Sequence, residues 1–394
     1  MQISGRACSF TRAGSLVAAA IWASYWPWRG REPEPPGQGA PVARDGVVRI
    51  LESRVLYSDS LAQITAVATL PESGLVAALD QVTGLIALFE GRTGTIRGYL
   101  GGRKSGPGSL NCGSQLFLSG QSVLVLDSCR QRFIEFAIGG QHVKDVRAVR
   151  GEGVLNAYGR FARLGSILLH SRRVSALSGN QAAKPIRHGK DQLVAQADSA
   201  VRVIAEAPSA WIDVARSGPP FLVPAPYRPR LIWDVHPATQ LIALSRQQDL
   251  VVEFFTVSGD QSGTLRLPVQ GRPVSRQDRA EVIRKYREEV SSHRTDVNLE
   301  RLTFPERMPA IEALRFDPSG RLWLRTTAPP RSPGKPDSLQ IVVFRYGEPS
   351  FVRFWFRCFP VAFLSAEELL CREKDSLDVE YLRAFKFNLE LQTP

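Results

Sequence analysis

No run of this chain constrains its fold more than Gly74 to Gly108, GLVAALDQVTGLIALFEGRTGTIRGYLGGRKSGPG. Short apolar runs alternate there with turn residues and an Asp, which is the pattern of strands and tight turns. With the run just before it, four strands are predicted: ITAVATL (64–70), LVAALD (75–80), LIALFE (85–90) and TIRGYL (95–100). Ser73-Gly74, Thr83-Gly84 and Thr93-Gly94 mark the turns between them. Four antiparallel strands in about forty residues form one blade of a β-propeller.

The unit recurs along the chain. SQLFLSG, SVLVLD, RFIEFAI and HVKDVRAV (114–149) make a second copy, with Asp80 aligned over Asp127 and Phe89 over Phe136. An Asp that closes a strand accepts hydrogen bonds from the amides of the following turn, so both are read as turn-holders. A third unit is fainter: RFARLGSILLHS (160–171), a long polar loop, then QLVAQAD and VRVIAEA between 192 and 207, with a Pro-rich connection over 219–229. A fourth spans 230–269 as RLIWDVH, QLIALSR, LVVEFFTV and TLRLPV. Residues 275–294 break the pattern with helical spacing, Ser275 as N-cap and Asp278 three residues on. A fifth unit opens at Ala310 and turns at Asp317-Pro318-Ser319-Gly320. The sixth, FPVAFL, EELLCRE and YLRAFKFNLEL, lacks a fourth strand, and VVRILESRVL (47–56) lacks a partner. Joining these two closes the ring and leaves no large unpaired edge. The expected fold is therefore all-β: a six-bladed β-propeller over 46–394 with one inserted helix.

Arg6 and Arg12 precede an apolar run from Gly14 to Trp26. A basic segment before an apolar run too short for an ordinary membrane span reads as a signal peptide. Trp22, Tyr25, Trp26 and Trp28 suit a membrane interface, so an uncleaved N-terminal anchor is the second reading of 1–29. Residues 30–45, rich in Pro and Gly, read as a linker. Both readings put the body outside the cytoplasm, in the periplasm or beyond, and the second adds membrane association. The cysteines agree. Cys112 and Cys129 are equidistant from a Gly120-Gln121 turn, and Cys358 and Cys371 from Leu364-Ser365. Such positions face each other across a hairpin and can bridge. No Cys-x-x-Cys spacing or nearby His points to zinc. Two disulfides imply an oxidising compartment.

The strings LVAALDQVTGLIALFEGRTG, GGRKSGPGSL and FDPSGRLWLRT resemble the bacterial six-bladed propellers related to the NHL repeat, over roughly 47–391. The resemblance implies an exported or membrane-anchored propeller, in a group mostly without assigned activity. Here Ser109 follows Gly106-Pro107-Gly108, where that group carries an acidic residue.

The five His are scattered, and neither a nucleophile elbow nor a phosphate loop is present. No catalytic or metal residue is assigned. The net charge is +12, but Arg92, Arg97, Arg103, Arg130 and Arg132 are spread singly, which reads as solvated surface. Export and the lack of an aromatic-basic stripe exclude nucleic acid as a partner. Polar residues on the predicted innermost strands are the candidate site: Arg160, Arg163, Asp234, His236, Glu312 and Arg315. The first expectation is a non-catalytic, cofactor-free binding module for a protein, peptide or glycan, at one face or the central funnel. The alternative follows from propeller enzymes of the gluconolactonase type, which this fold resembles: a metal-dependent hydrolase with calcium or zinc at the ring axis.

Overall fold

A computed structural model of the chain describes residues 42–56, 61–103, 106–147, 154–155, 160–175, 186–197, 200–215, 222–247, 251–267, 270–291, 297–327, 339–348 and 350–391. The segment read as a signal peptide or anchor, and most of the linker, lie outside these residues. Strand β1 (Val42–Leu56) starts within the stretch read as linker, five residues ahead of the expected Val47.

The first two repeats fold as their turns dictate. Strands β2 (Ile64–Leu70), β3 (Leu75–Asp80), β4 (Leu85–Glu90) and β5 (Ile96–Gly101) form one antiparallel sheet in chain order. Strands β6 (Gly113–Ser119), β7 (Ser122–Asp127), β8 (Arg132–Ala137) and β9 (His142–Arg147) form the next. Every residue of β3 is buried, because both faces of its sheet are covered. Asp80 holds its turn as expected: one carboxylate oxygen accepts from the Val82 amide at 2.5 Å and the Thr83 amide at 3.2 Å. Its other oxygen takes the Ala62 amide at 2.5 Å and so ties the strand's end to the chain entering β2. Asp127 serves the second purpose instead, accepting from the Cys112 amide at 3.2 Å.

The third repeat departs from expectation. Its sheet has six strands: β10 (Val154–Leu155), β11 (Phe161–Leu164), β12 (Ile167–Ser175), β13 (Ile186–Ala197), β14 (Ala200–Asp213) and β15 (Leu222–Pro224). The polar stretch expected as a loop is strand at both of its described ends. The reason lies in cross-strand pairs of polar side chains: Arg172 donates to Gln192 at 2.8 Å and Arg173 to Asp191 at 3.2 Å, while the Arg173 guanidinium lies 3.7 Å from the Trp211 ring centre. Such pairs stabilise a sheet without any apolar alternation. The Pro-rich connection likewise contains β15, paired with β14. The fourth repeat follows as β16 (Ile232–His236), β17 (Leu241–Ser245), β18 (Val251–Phe255) and β19 (Gln261–Arg266).

Helix α1 (Arg276–Ser291) forms where predicted. Ser275 caps it reciprocally: its amide donates to Asp278 at 2.8 Å and its hydroxyl accepts the Asp278 amide at 3.2 Å. Arg272 clamps the same carboxylate with two bonds of 2.6 Å, and these hold Asp278 down to about 2 against the opposing effect of burial. Ile283 and Tyr286 pack the helix on Ile212, Val214 and Val223 at the end of the third sheet.

Two separate sheets of four were expected after this point, completing six in all; the structure has one sheet of eight beside the other four. Strands β20 (Ile311–Phe316), β21 (Arg321–Thr326), β22 (Leu339–Arg345) and β23 (Ser350–Phe356) join β24 (Ala362–Ser365), β25 (Glu368–Lys374) and β26 (Glu380–Leu391) through β1, in the order β20-β21-β22-β23-β1-β26-β25-β24. The cause is the early start of β1. Val42–Asp45 run parallel to Ser350–Arg353, and from Gly46 onward the strand runs antiparallel to β26. The eight strands fold back on themselves: Trp323, Ile341 and Phe354 pack against Phe363, Leu369 and Phe385. The last strands also meet the first sheet, with Ala362, Leu370 and Leu382 against Val76, Ala78 and Phe89. Apolar contact thus runs from sheet to sheet until it returns to its start, which is the architecture of an all-β propeller with one helix.

Both disulfides are present, with Cα atoms 5.4 Å apart for Cys112–Cys129 and 6.1 Å for Cys358–Cys371. The first hairpin turns at Gly120-Gln121 as predicted, Ser119 facing Ser122. The second does not turn at Leu364-Ser365. Ser365 faces Glu368, so the turn is Ala366-Glu367. Cys358 reaches Cys371 all the same, from the bend that precedes β24.

Candidate functional site

The first strand of each repeat faces the axis. A cavity of about 510 Å³ is lined by residues of β2, β6, β11, β16, β20 and β24, together with Arg160 just ahead of β11. It takes in five of the six candidates: Arg160, Arg163, Asp234, His236 and Arg315. A second cavity, of about 450 Å³, holds the sixth, Glu312, and shares Arg160 and Arg315 with the first. The two are the ends of one axial channel with Arg160 and Arg315 at their junction. No residue of α1 lines either cavity.

Each candidate has definite partners. Asp234 is buried; one oxygen meets the Arg160 guanidinium at 3.0 Å and the other accepts the Phe316 amide at 2.8 Å. It therefore fastens β16 to β20 as well as neutralising Arg160. His236 is buried with its ring 5.7 Å from that of Phe316. Its Nε2 lies 3.3 Å from the Pro318 carbonyl and its Nδ1 3.3 Å from the Thr239 amide. Those partners require Nε2 to carry the proton and Nδ1 to accept. Arg163 pairs with Glu135 at 3.0 Å. Burial pushes the Glu135 carboxyl up, but the Ser122 hydroxyl, Arg163 and Lys144 together bring it below its ordinary value. Glu312 pairs with Arg325.

Arg315 differs from these. Its Nη1 donates to the Val361 carbonyl, while its Nε is sealed from solvent without an acceptor. Burial pushes its guanidinium down to about 9; Arg160 adds to this and Asp234 opposes it.

Sequence reasoning missed the arginines of the second mouth. Arg325 lies on β21, Arg372 on β25, and Arg357 just beyond β23. None is on an innermost strand, and nothing in their local pattern separates them from the other scattered arginines. Their carboxylate partners are Glu312, Glu380 at 3.8 Å and Glu373 at 2.8 Å, respectively.

A ring of sheets around a polar axial channel defines a β-propeller. The chain is similar in structure to a member of the DUF4221 family from Bacteroides vulgatus, with 10% identity and a TM-score of 0.52 over 89% of this chain and 99% of that one. It also matches a putative exported protein from Bacteroides fragilis (11% identity, TM-score 0.47, 87% of this chain and 96% of that one). A gluconolactonase from Xanthomonas campestris matches as well (11% identity, TM-score 0.44, 90% and 98%). The first likeness shows the fold alone; the other two are too distant to carry an argument. No family model matches the sequence, and no curated protein matches it by sequence. The resemblance to NHL-related propellers thus holds at the level of a β-propeller fold and assigns no family.

The channel does not suit a calcium or zinc ion. Among the described residues, no three His, Cys, Asp or Glu side chains gather where they could hold a metal. The two candidate carboxylates are engaged by arginines, Asp234 by Arg160 and Glu312 by Arg325. A dication at the axis would also face the uncompensated Arg315.

Proposed function

We propose that this chain is an exported six-bladed β-propeller that binds a protein, peptide or glycan through its central channel, without catalysis. The blade count treats the eight-stranded sheet as two blades, β20–β23 and β24–β26 with β1, fused where β1 runs beside β23. Six apolar clusters between successive sheets support that count. The observation that carries the function is convergence: innermost strands from the whole ring bring five scattered polar residues to one cavity of about 510 Å³. Export is supported by the two disulfides, which persist in an oxidising compartment.

Glycan and peptide arrays probed with the full-length protein test this reading. Ala238 is exposed in the turn after β16 and lines the larger of the two cavities, so Ala238→Trp should obstruct the channel while sparing the core. The expected result is saturable binding that the variant loses by tenfold or more at an unchanged unfolding midpoint. Binding that survives the obstruction would move the ligand away from this mouth. Failure of residues 1–30 to carry a reporter out of the cytoplasm would remove export from the proposal.

A further inference from the structure

Six arginines line the two ends of the channel: Arg160, Arg163, Arg315, Arg325, Arg357 and Arg372. Five have a carboxylate within ion-pair reach: Asp234, Glu135, Glu312, Glu373 and Glu380 serve them in turn. Arg315 has none among the described residues, although it stands where the two cavities meet. Asp234, which lines the same cavity, is already committed to Arg160 and to the Phe316 amide. Two guanidinium groups therefore share one carboxylate at the middle of the channel, leaving one positive charge over. Low-dielectric walls concentrate the field of such a charge instead of letting water screen it. A half-buried charge without a counter-ion is also costly to the fold, so its retention calls for compensation from elsewhere.

The guanidinium is suited to supply that compensation through a ligand. Nη1 donates to the Val361 carbonyl, which anchors the group, and Nε has no acceptor among the described residues. An anchored planar donor fork matches the paired oxygens of a carboxylate or phosphate. We propose that the middle of the channel binds an oxyanion, a carboxylate or phosphate group of the ligand, on Arg315 with Arg160 beside it. The larger cavity would hold the remainder of that ligand. The lowered affinity of Arg315 for its proton has the same origin, a cation in protein surroundings beside a second cation. The inference rests on the channel being the ligand site.

The test is calorimetric titration of the full-length protein with citrate and, separately, inorganic phosphate, at ionic strength held constant with sodium chloride. The expected result is saturable binding of at least one anion with a millimolar or tighter Kd. Arg315→Gln should weaken it tenfold or more, and Arg315→Lys should restore part of it by returning the charge without the fork. Arg266→Gln, on the exposed side of β19, controls for net charge and should change nothing. The stronger of the two titrations identifies a carboxylate or a phosphate as the better source. No binding of either anion to the native protein overturns the inference, as does undiminished binding to Arg315→Gln. Should that variant not fold, the native protein still decides. A rise in unfolding midpoint that saturates with anion concentration supports the site, and a rise without a plateau, as general salting-out produces, refutes it. Ligands retained on the arrays with no anion binding would sink this inference and leave the binding-module reading standing. Anion binding with no array ligand would do the reverse.

Discussion

Replacing His170 with Leu should make the protein less sensitive to mild acid. His170 lies on β12, opposite Phe161 and Val194, and is 4% exposed, with its ring 5.8 Å from that of Phe133. Burial pushes the imidazole from 6.5 down to about 4, and Gln196 beside it offsets only part of that. The folded protein therefore keeps His170 neutral at a pH where the unfolded chain takes up a proton. Between about pH 6.5 and 4 the unfolded state binds the extra proton, so stability falls as the pH drops through that window. A shift of roughly 2.5 units at 1.36 kcal/mol per unit gives about 3 kcal/mol when the window has been crossed. Asp191 on the neighbouring strand works in the opposite sense, since burial raises its carboxyl despite Arg173. Comparing the native protein with His170→Leu cancels that contribution and those of the other acids. Urea unfolding at pH 7, 6, 5 and 4.5 is the assay. The two stability profiles should converge or cross as pH falls, the native protein losing up to about 3 kcal/mol more than the variant. Parallel profiles would refute the reasoning, whatever the offset between them at neutral pH.

The remaining expectations concern the staples of the ring. Cys112→Ser removes a bridge across 17 residues and should cost about 3 kcal/mol by chain entropy; mass spectrometry of the unreduced native protein should find Cys112, Cys129, Cys358 and Cys371 all without free thiols. Asp317 is buried and accepts from the Ser319 amide at 2.9 Å, the Arg321 amide at 3.0 Å, Arg321 Nε at 2.6 Å and Trp323 Nε1 at 3.0 Å. Asp317→Ala should destabilise by about 3 kcal/mol and shift tryptophan emission to longer wavelength, and an unchanged urea midpoint would count against that role.

Much of the architecture was legible because its signals are local. Apolar runs ending in Gly turns, or in the Asp80 and Asp317 turns, located most of the strands without reference to anything distant. Ser275 and Asp278 marked the helix start for the same reason: cap and partner are three residues apart. Legibility failed where stabilisation came from elsewhere. The ends of β12 and β13 looked like loop because their strands are held by Arg172–Gln192 and Arg173–Asp191 pairs, not by apolar alternation. The second cysteine pair was right although its turn was misplaced, because a bend ahead of β24 allows the bridge without symmetric pairing.

The sequence by itself determined the repeat, the helix, both disulfide pairs and the polar residues most of which line the axis. Each depends on neighbours in the chain, on hairpin reach or on the position of a strand within its repeat. Only the tertiary structure decided how the ring closes, with β1 parallel to β23 before it crosses to β26. It alone also decided the charge balance of the channel. Asp234 serves Arg160 and the Phe316 amide, 74 and 82 residues away, and so is not free for Arg315. Ion pairs between blades depend on the register and order of whole sheets, and no local pattern in the sequence encodes which arginine is left without a partner.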